Sequence, residues 1–297
     1  FENASVDAIV PLFSKCRSNY LNIENMKDGR LEVIKRIDKS EIKDSASLDW
    51  LSSTNLELLS KIDNTISRFK DLAECESSCA TNDAYRLKPL ISDFNGTDDP
   101  GHYMRVINTG TIDKFVSKWG ERKMVYLGEK YMHPVVNRQD FIVNFPNTYS
   151  RRALSPKIII KGLRHLDACL DETGNIIPGI PTLIICGNEI DKLKFISAFI
   201  NCRLTIFFLK EKYSASTYHE GGIIFTRDMI NNLPLPTITP ETKKSIVSIV
   251  DQILSAKQKN SKADTTPLEN EIDKIIYDLY GLTNDEIAII EGKGNGR

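Results

Sequence analysis

Basic side chains border a short apolar run in the middle of the chain. Residues 156–161 read Pro-Lys-Ile-Ile-Ile-Lys, a pattern typical of a buried strand. Lys161 ends this run and Arg164 follows it closely, so we expect both side chains to emerge at the same end of the strand. Arg151 and Arg152 are expected to enter the strand through a loop. Clustered cations in such positions are suited to binding phosphate oxygens.

A turn upstream offers a second set of polar groups. Asn108 and Thr109 open an Asn-Thr-Gly-Thr segment, and Lys114 and Lys118 follow within ten residues. Hydroxyls and backbone amides beside two lysines also suit phosphate oxygens. The alternative is a plain turn in which Thr111 caps a helix, and the sequence leaves both interpretations open.

A third candidate segment follows the longest apolar helix pattern. Lys212, Tyr213 and Ser214 open a Lys-Tyr-Ser-Ala-Ser run. Small hydroxylated side chains beside an aromatic ring would let the backbone approach a ligand closely. This segment therefore joins the candidate binding residues.

The distribution of charge supports a polyanionic ligand. The 297-residue chain has a net charge of −1, but residues 101–236 contain 18 Lys and Arg against 12 Asp and Glu. The rest of the chain carries an excess of seven acidic residues. Chance clustering on a solvated surface is the alternative. Because phosphate contacts supply much of the affinity for nucleic acids, the basic middle region favours nucleic-acid binding.

The common catalytic signatures do not occur in the sequence. It contains no Gly-x-x-x-x-Gly-Lys-Ser/Thr, no Gly-x-Gly-x-x-Gly, no Gly-x-Ser-x-Gly, no Asn-Pro-Pro-Tyr and no Pro-Asp dipeptide. Cys75, Cys79 and His102 form only a weak zinc pattern, because no fourth ligand is evident. We therefore predict no catalytic residue and no metal site in this chain, and we expect its six cysteines to be reduced.

The periodicity of apolar residues changes along the chain. Apolar residues at three- and four-residue spacing, among them Leu31, Ile34 and Ile37, predict helices in the first 70 residues. From about residue 70 short apolar runs between turn residues predict a β-rich part. The expected strands are Tyr103–Ile107, Met124–Leu127, Phe141–Phe145, Ile158–Ile160, Leu183–Cys186 and Ile223–Phe225. One long helix, from Asp191 to Lys210, interrupts them, and Asn201 is expected to break it.

The last 60 residues contain clear helix boundaries. Thr239 followed by Pro240 predicts a helix start, and Thr266 and Thr283 each precede a glutamate by three residues, as in a capping box. Gly281 predicts a helix end. The C-terminal segment is therefore predicted to be a helical hairpin.

At several of these positions the chain resembles the C-terminal target recognition domain of Type IIG restriction enzymes. The similar segments are residues 83–90, 108–115, 119–120, 131–134, 156–161, 212–216, 233–236 and 271–286. Together they cover roughly Phe69 to Glu291 in the expected order. No single one of them is decisive, but the series is specific.

The resemblance implies a fold and a division of labour. It implies a TaqI-like specificity domain, a mixed α/β (α+β) fold with a curved mixed sheet that enters the major groove of double-stranded DNA. Residues 1–68 would then form a helical connector, 69–238 the DNA target recognition domain and 239–297 a C-terminal helical support. An adenine-N6 methyltransferase and a nuclease, with S-adenosylmethionine and Mg²⁺, would lie upstream in the same polypeptide. A chain that begins with Phe1 rather than Met fits this expectation.

Two other functions stay open from the sequence. The chain resembles half of a Type I specificity subunit as well, which would be non-enzymatic and would act with a separate methyltransferase. It could also be a stand-alone enzyme with an unrecognised site. In each case we expect a cytoplasmic protein, because no apolar run approaches the roughly 18–20 residues that span a bilayer.

Overall fold

The computed structural model describes residues 18–27, 29–38, 53, 55–96, 100–213 and 222–293. The strands in these ranges are β1 (Tyr20–Lys27), β2 (Arg30–Asp38), β3 (Ser67–Arg68), β4 (Glu76–Ser77), β5 (Ser92–Asp93), β6 (Tyr103–Ile107), β7 (Ile112–Asp113), β8 (Val116–Ser117), β9 (Met124–Tyr126), β10 (Glu129–Tyr131), β11 (Pro134–Asn137), β12 (Lys157–Lys161), β13 (Leu163–Arg164), β14 (Ala168–Asp171), β15 (Ile176–Pro178), β16 (Thr182–Cys186), β17 (Ile223–Ile224) and β18 (Pro234–Leu235).

The helices alternate with these strands and dominate the C-terminal part. They are α1 (Leu56–Asp63), α2 (Phe69–Leu72), α3 (Thr81–Leu87), α4 (Arg138–Asn144), α5 (Thr148–Ala153), α6 (Ile190–Asn201), α7 (Arg203–Lys212), α8 (Arg227–Asn231), α9 (Pro240–Lys259), α10 (Thr266–Leu279) and α11 (Asn284–Ile290). The chain therefore has a mixed α+β fold, as predicted.

The first sheet has the strand order β14-β12-β16-β4, and its strands are antiparallel. The isoleucine run of β12 lies inside this sheet because β-branched side chains fit a pleated surface that is covered on both faces. Ile158 and Ile160 face a large core that includes α6, α7, α9 and α10. This helical layer covers one face of the first sheet.

The second sheet has the strand order β15-β6-β11-β5, with β15 parallel to β6 and the other neighbours antiparallel. Met104 and Val106 of β6 face a second core, where Phe141, Phe145 and Tyr149 pack ring against ring. The opposite faces of the two sheets meet through a small apolar cluster of Ile107, Ile112, Ile159, Cys169 and Ile184.

A buried ion pair connects the first sheet to the turn that leads into the second. Lys157 Nζ lies 2.5 Å from Asp171 Oδ2, and both side chains are almost fully buried. Lys157 also donates to the carbonyls of Ala153 and Ser155. Asp171 in turn accepts from three backbone amides and one hydroxyl: Thr173 N, Thr173 Oγ1, Asn175 N and Ile176 N. Every polar group of the pair is therefore satisfied.

The predicted break in the long helix occurs where expected. α6 ends at Asn201 and α7 begins at Arg203, with Cys202 in an extended conformation between them. The Asn201 side chain accepts from Ala168 N at 2.9 Å and donates to Ala168 O at 3.0 Å. Because Ala168 opens the edge strand β14, the helix break places a side-chain amide against the outer edge of the sheet.

The C-terminal helices confirm most of the predicted boundaries. Thr239 caps α9, the Thr283 capping box forms with Glu286, and Gly281 has a φ of +61° after α10. The capping box predicted at Thr266 is wrong, because Thr266 is the first residue of α10 and Thr265 occupies the N-cap position. α9 and α10 pack against each other as the predicted hairpin.

Two predicted elements have the wrong type. The segment around Leu31 is the strand β2, paired with β1, and not a helix of the connector. The Asp28-Gly29 dipeptide is a hairpin signal, and Gly29 has a φ of +75°. Residues Phe141–Phe145 belong mostly to helix α4 instead of a strand, because Asn137 caps that helix by accepting from two amides.

Candidate nucleic-acid interface

An open cleft of about 380 Å³ gathers basic side chains from two segments that are distant in sequence. Its lining consists of Asp113, Lys114, Val116, Lys118, Asp167, Lys257, Ser261 and Lys262. We call this feature the lysine cleft, since half of its lining residues are lysines. Its volume is within the range of small-ligand sites.

A tight hairpin builds one wall of the lysine cleft. β7 and β8 pair across the two residues Lys114 and Phe115. Phe115 has a φ of +61°, which is unfavourable for an aromatic residue. Its side chain is buried in the large core, and its N–H donates to Ala168 O at 2.8 Å, so tertiary contacts hold the strained turn. The turn presents Lys114 to the cleft.

Lys118 ties the hairpin to the loop between α9 and α10. Its Nζ donates to Ser261 O at 2.9 Å and lies 3.4 Å from Glu121 Oε2. Ser261 Oγ donates to the same Glu121 oxygen at 2.6 Å. The Lys118 side chain is only 10% exposed, so its main role is to form the wall of the cleft.

Lys161 is also held by carboxylates. Its Nζ lies 2.6 Å from Asp167 Oδ2 and 3.5 Å from Asp113 Oδ1. Asp113 accepts a two-pronged contact from Arg122, at 3.1 and 2.8 Å. Burial alone would raise the pKa of Asp113, but Arg122 and Lys161 together hold that pKa below its usual value. The carboxylate is therefore charged and neutralises part of the cleft.

Replacing Arg122 by glutamine is expected to raise the pKa of Asp113 toward the ordinary aspartate value. A carboxylate whose pKa is lower in the folded chain stabilises the fold above its unfolded pKa, and this stabilisation disappears as the pH falls through the folded pKa. Asp113 is one third exposed, so its contribution is about 1 kcal/mol or less. A carboxyl-detected NMR titration measures the shift. Arg138→Gln, which alters a contact to Asn175, should leave the Asp113 titration unchanged.

The accessible positive charge of the cleft comes from three other lysines. Lys114 Nζ is 3.8 Å from Glu269 Oε2, in a partly exposed ion pair. Lys257 donates to Ala263 O at 2.8 Å and is half-buried, while Lys262 is exposed. In the sequence, Lys257 and Lys262 belong to a cluster of three lysines within the predicted helical support, and we had not included them among the candidate binding residues.

The structure assigns Asn108 and Thr109 to the turn itself. Asn108 is buried; its Oδ1 accepts from Gly110 N, and its Nδ2 donates to Val125 O. Thr109 Oγ1 donates to Pro181 O. The plain-turn alternative therefore describes these two side chains, with Asn108 in the capping position that we had considered for Thr111.

Arg151 and Arg152 lie away from the lysine cleft. We expected them in a loop, but they belong to helix α5. Arg151 is exposed and donates to Thr148 Oγ1, whereas Arg152 pairs with Glu76. Both precede the start of β12, and Lys161 stands at its other end, roughly 13 Å away for a five-residue strand.

The remaining predicted residues occupy other surroundings. Arg164 is exposed in β13, which pairs with β17, and it has a φ of +67°. Lys212 Nζ lies 3.4 Å from Asp63 Oδ1, and burial lowers the pKa of Lys212. Tyr213 is half-buried at the end of α7, and Ser214 lies outside the described residues. Of the predicted cations, Lys114, Lys118 and Lys161 are the ones brought together at the cleft.

Neither the cysteines nor the acidic residues form a reactive centre in the described ranges. No group of three or more His, Cys, Asp or Glu side chains is arranged there to hold a metal ion. Burial raises the pKa of Cys169 to about 12 and that of Cys79 to about 11, so both thiols stay protonated at neutral pH. Among the helices that the structure describes, none is long and apolar enough to cross a membrane.

Comparison with known proteins gives structural likeness only. No protein-family model matches the sequence, and no curated protein matches it. Among solved structures, the Type IIL restriction-modification enzyme MmeI in complex with DNA is similar over 76% of this chain and 35% of its own, with 11% identity and a TM-score of 0.49. The Type IIG restriction endonuclease BpuSI is similar over 84% of this chain and 36% of its own, with 9% identity and a TM-score of 0.43.

Both neighbours are restriction enzymes. The chain spans about a third of the length of each. Both TM-scores lie below 0.5, and the function proposed below rests on the cleft residues of this chain.

Proposed function

We propose that this chain recognises double-stranded DNA as the target recognition region of a restriction-modification enzyme. The observation that carries the proposal is the convergence of Lys114, Lys257 and Lys262 on one open cleft. Lys114 comes from a hairpin, whereas Lys257 lies at the end of α9 and Lys262 in the loop that follows, more than 140 positions away in sequence. The fold alone brings them together. A concave surface with several ammonium groups suits the phosphates of a DNA backbone.

The ion pairs of the cleft are compatible with such a ligand. Lys114 and Glu269 are 3.8 Å apart and partly exposed, and a pair of this kind contributes about 1 kcal/mol or less. Lys114 can therefore leave Glu269 for a phosphate at small cost. Lys118 and Lys161 keep their carboxylate partners and hold the walls in place.

The sequence resemblance to Type IIG enzymes supports a finer assignment. We propose that the parent polypeptide carries an adenine-N6 methyltransferase and an endonuclease upstream of this region, in the cytoplasm. Those upstream domains would use S-adenosylmethionine and Mg²⁺, and this region would position them on a short target sequence. The alternative is a fragment of a Type I specificity subunit. An Asn-Pro-Pro-Tyr motif encoded shortly before Phe1 would favour the first assignment over the second.

The double variant Lys114→Ala/Lys262→Ala is expected to weaken the salt dependence of DNA binding. Each phosphate contact contributes about 0.9 to the slope of log K against log salt, so two lost contacts lower the slope by about 2. Fluorescence anisotropy with a duplex oligonucleotide, from about 50 to 200 mM salt, measures the slope.

The matched control is Lys70→Ala/Lys244→Ala, which removes two exposed lysines from α2 and α9 outside the cleft lining. It changes the net charge by the same amount and should keep the slope of the wild type. Equal slopes in both double variants would exclude the lysine cleft as the phosphate-binding surface. The absence of any salt-sensitive DNA binding by the wild-type chain would contradict the proposed function itself.

A further inference from the structure

An arginine stacked on a tryptophan stands beside the lysine cleft. Arg105 lies in β6, and its neighbours Met104 and Val106 point into the second core, so Arg105 points to the opposite face of the second sheet. Its side chain is exposed, and the guanidinium carbon lies 4.7 Å from the centre of the Trp119 ring. Trp119 directly follows Lys118, which forms the wall of the cleft. The stack and the cleft are thus adjacent along the chain.

Two contacts fix the Trp119 side chain. Its Nε1 donates to Pro134 O at 2.7 Å, and the His133 ring meets it nearly edge-on at 5.2 Å. His133 is held in turn by a backbone hydrogen bond to Asp93 Oδ1 at 2.8 Å. Gly120 has a φ of +78°, and a Cβ there would lie 3.0 Å from the His133 ring. The platform under Arg105 is therefore rigid and depends on a glycine.

Arg105 differs from other arginines of this protein in its polar contacts. Its guanidinium makes no hydrogen bond or ion pair with any residue that the structure describes. By contrast, Arg68, Arg122 and Arg152 are each paired with a carboxylate, from Asp63, Asp113 and Glu76 respectively. A stacked guanidinium keeps its plane fixed while its N–H donors remain exposed at the edge. The Trp119 ring thus restrains the position of the Arg105 guanidinium, whose donors are available to a planar acceptor pair.

We propose that Arg105 is a specificity-determining residue that reads a guanine in the major groove by donating two hydrogen bonds, to N7 and O6. The inference rests on the DNA-binding function proposed above and names a base contact within it. Two-pronged contact of arginine with guanine is the commonest specific contact to a base edge in DNA. The flexible lysines of the cleft suit phosphates, whereas a fixed planar fork suits the flat edge of a base.

The test is selection of binding sites from a randomised duplex library by the 297-residue chain and two variants. Arg105→Lys keeps the positive charge but removes the planar guanidinium with its paired donors, and Arg105→Ala removes both the charge and the donors. The wild type is expected to select a site with one invariant G·C pair. Both variants should lose about 10- to 100-fold of the preference at that pair. Arg105→Lys should keep the salt dependence of the wild type. Because Arg105 is exposed, unchanged thermal unfolding is expected and verifies the fold of each variant.

The outcomes separate the two proposals. If Arg105→Ala weakens binding equally for all sequences and lowers the salt slope by about 1, while Arg105→Lys behaves as wild type, the residue contacts phosphate and the guanine assignment is wrong. Unchanged base preference in both variants also overturns it and leaves the DNA-binding function standing. If the wild-type chain showed no salt-sensitive DNA binding, both the proposed DNA-binding function and the guanine contact of Arg105 would be wrong. Lys70→Ala, an exposed cation in α2, should retain the selected site in full.

Discussion

Replacing Asp171 by alanine is expected to lower the free energy of unfolding by about 3–5 kcal/mol. The change leaves the Lys157 ammonium buried without a counterion, since that side chain is fully buried. It also leaves three backbone amides and one hydroxyl of the β14–β15 turn without their acceptor. Urea unfolding followed by circular dichroism measures the loss.

Lys157→Met is expected to cost less than Asp171→Ala, because the two members of the pair are not equivalent. Without Lys157, the Asp171 carboxylate still accepts four hydrogen bonds, which stabilise its charge. Two carbonyls, of Ala153 and Ser155, would lose one donor each. If Asp171 acted only as a counterion, the two single variants would destabilise equally, and the double variant Lys157→Met/Asp171→Leu would recover most of the stability.

Asp251→Ala provides the control for charge removal. Asp251 pairs with Lys194 at 2.7 Å, but its side chain is 52% exposed, so the loss should stay within about 1 kcal/mol. A loss of this same size for Asp171→Ala would contradict the view that burial makes the Lys157 pair essential.

The Lys157 pair shows which features the sequence could not provide. β12 was predictable because consecutive isoleucines have a strong preference for strands. Lys157 looked like an ordinary residue at a strand end. Its partner Asp171 is 14 residues away, on a strand whose pairing cannot be deduced from a single sequence. Local residue preferences therefore predicted strand β12. The ion pair between Lys157 and Asp171 is a tertiary contact and could be recognised only in the folded structure.

The two incorrect elements have a similar cause. Apolar residues around Leu31 match a helical spacing, but most of these residues are β-branched and they follow an Asp-Gly dipeptide, which favours a hairpin. In Phe141–Phe145 the aromatic residues suggested a strand, while Asn137 four positions earlier starts a helix. In both cases a turn or cap residue outside the apolar run determined the type of the element.

The lysine cleft was predictable only on one side. The sequence indicated Lys114, Lys118 and Lys161 because they surround turns and a strand end. Lys257 and Lys262 belong to the helical support in the sequence, and the contact between Lys118 and Ser261 spans 143 positions. A site built from segments that are distant in sequence can be recognised in the folded structure but not from a sequence motif.

Two asparagines protect the two edges of the first sheet in the same way. Asn201 binds both backbone groups of Ala168 at the start of β14, and Asn231 binds both backbone groups of Cys75 just before β4. β14 and β4 are the outer strands of that sheet. The side-chain amide of asparagine presents its carbonyl oxygen and one of its N–H groups on the same side, which matches the N–H and C=O that an extended residue presents to a sheet edge. Each asparagine therefore replaces a neighbouring strand at one residue.

Asn201→Leu is expected to lower the free energy of unfolding by about 2–3 kcal/mol, as measured by urea unfolding. The leucine keeps the number and branching of the side-chain heavy atoms, so it removes the hydrogen bonds without leaving a cavity. Ala168 O keeps a second donor, Phe115 N at 2.8 Å, whereas Ala168 N–H has no other acceptor among the described residues and is buried. The unpaired N–H therefore accounts for most of the expected cost.

Asn232→Leu separates this effect from a general intolerance of leucine. Asn232 is exposed just after α8, and its amide donates to Asp228 O of that helix, so its replacement should change stability by about 0.5 kcal/mol or less. Equal stability of Asn201→Leu and the wild type would mean that the edge of β14 finds another partner. In that case the helix break at Cys202 would serve only to turn the chain, and the asparagine would be incidental to it.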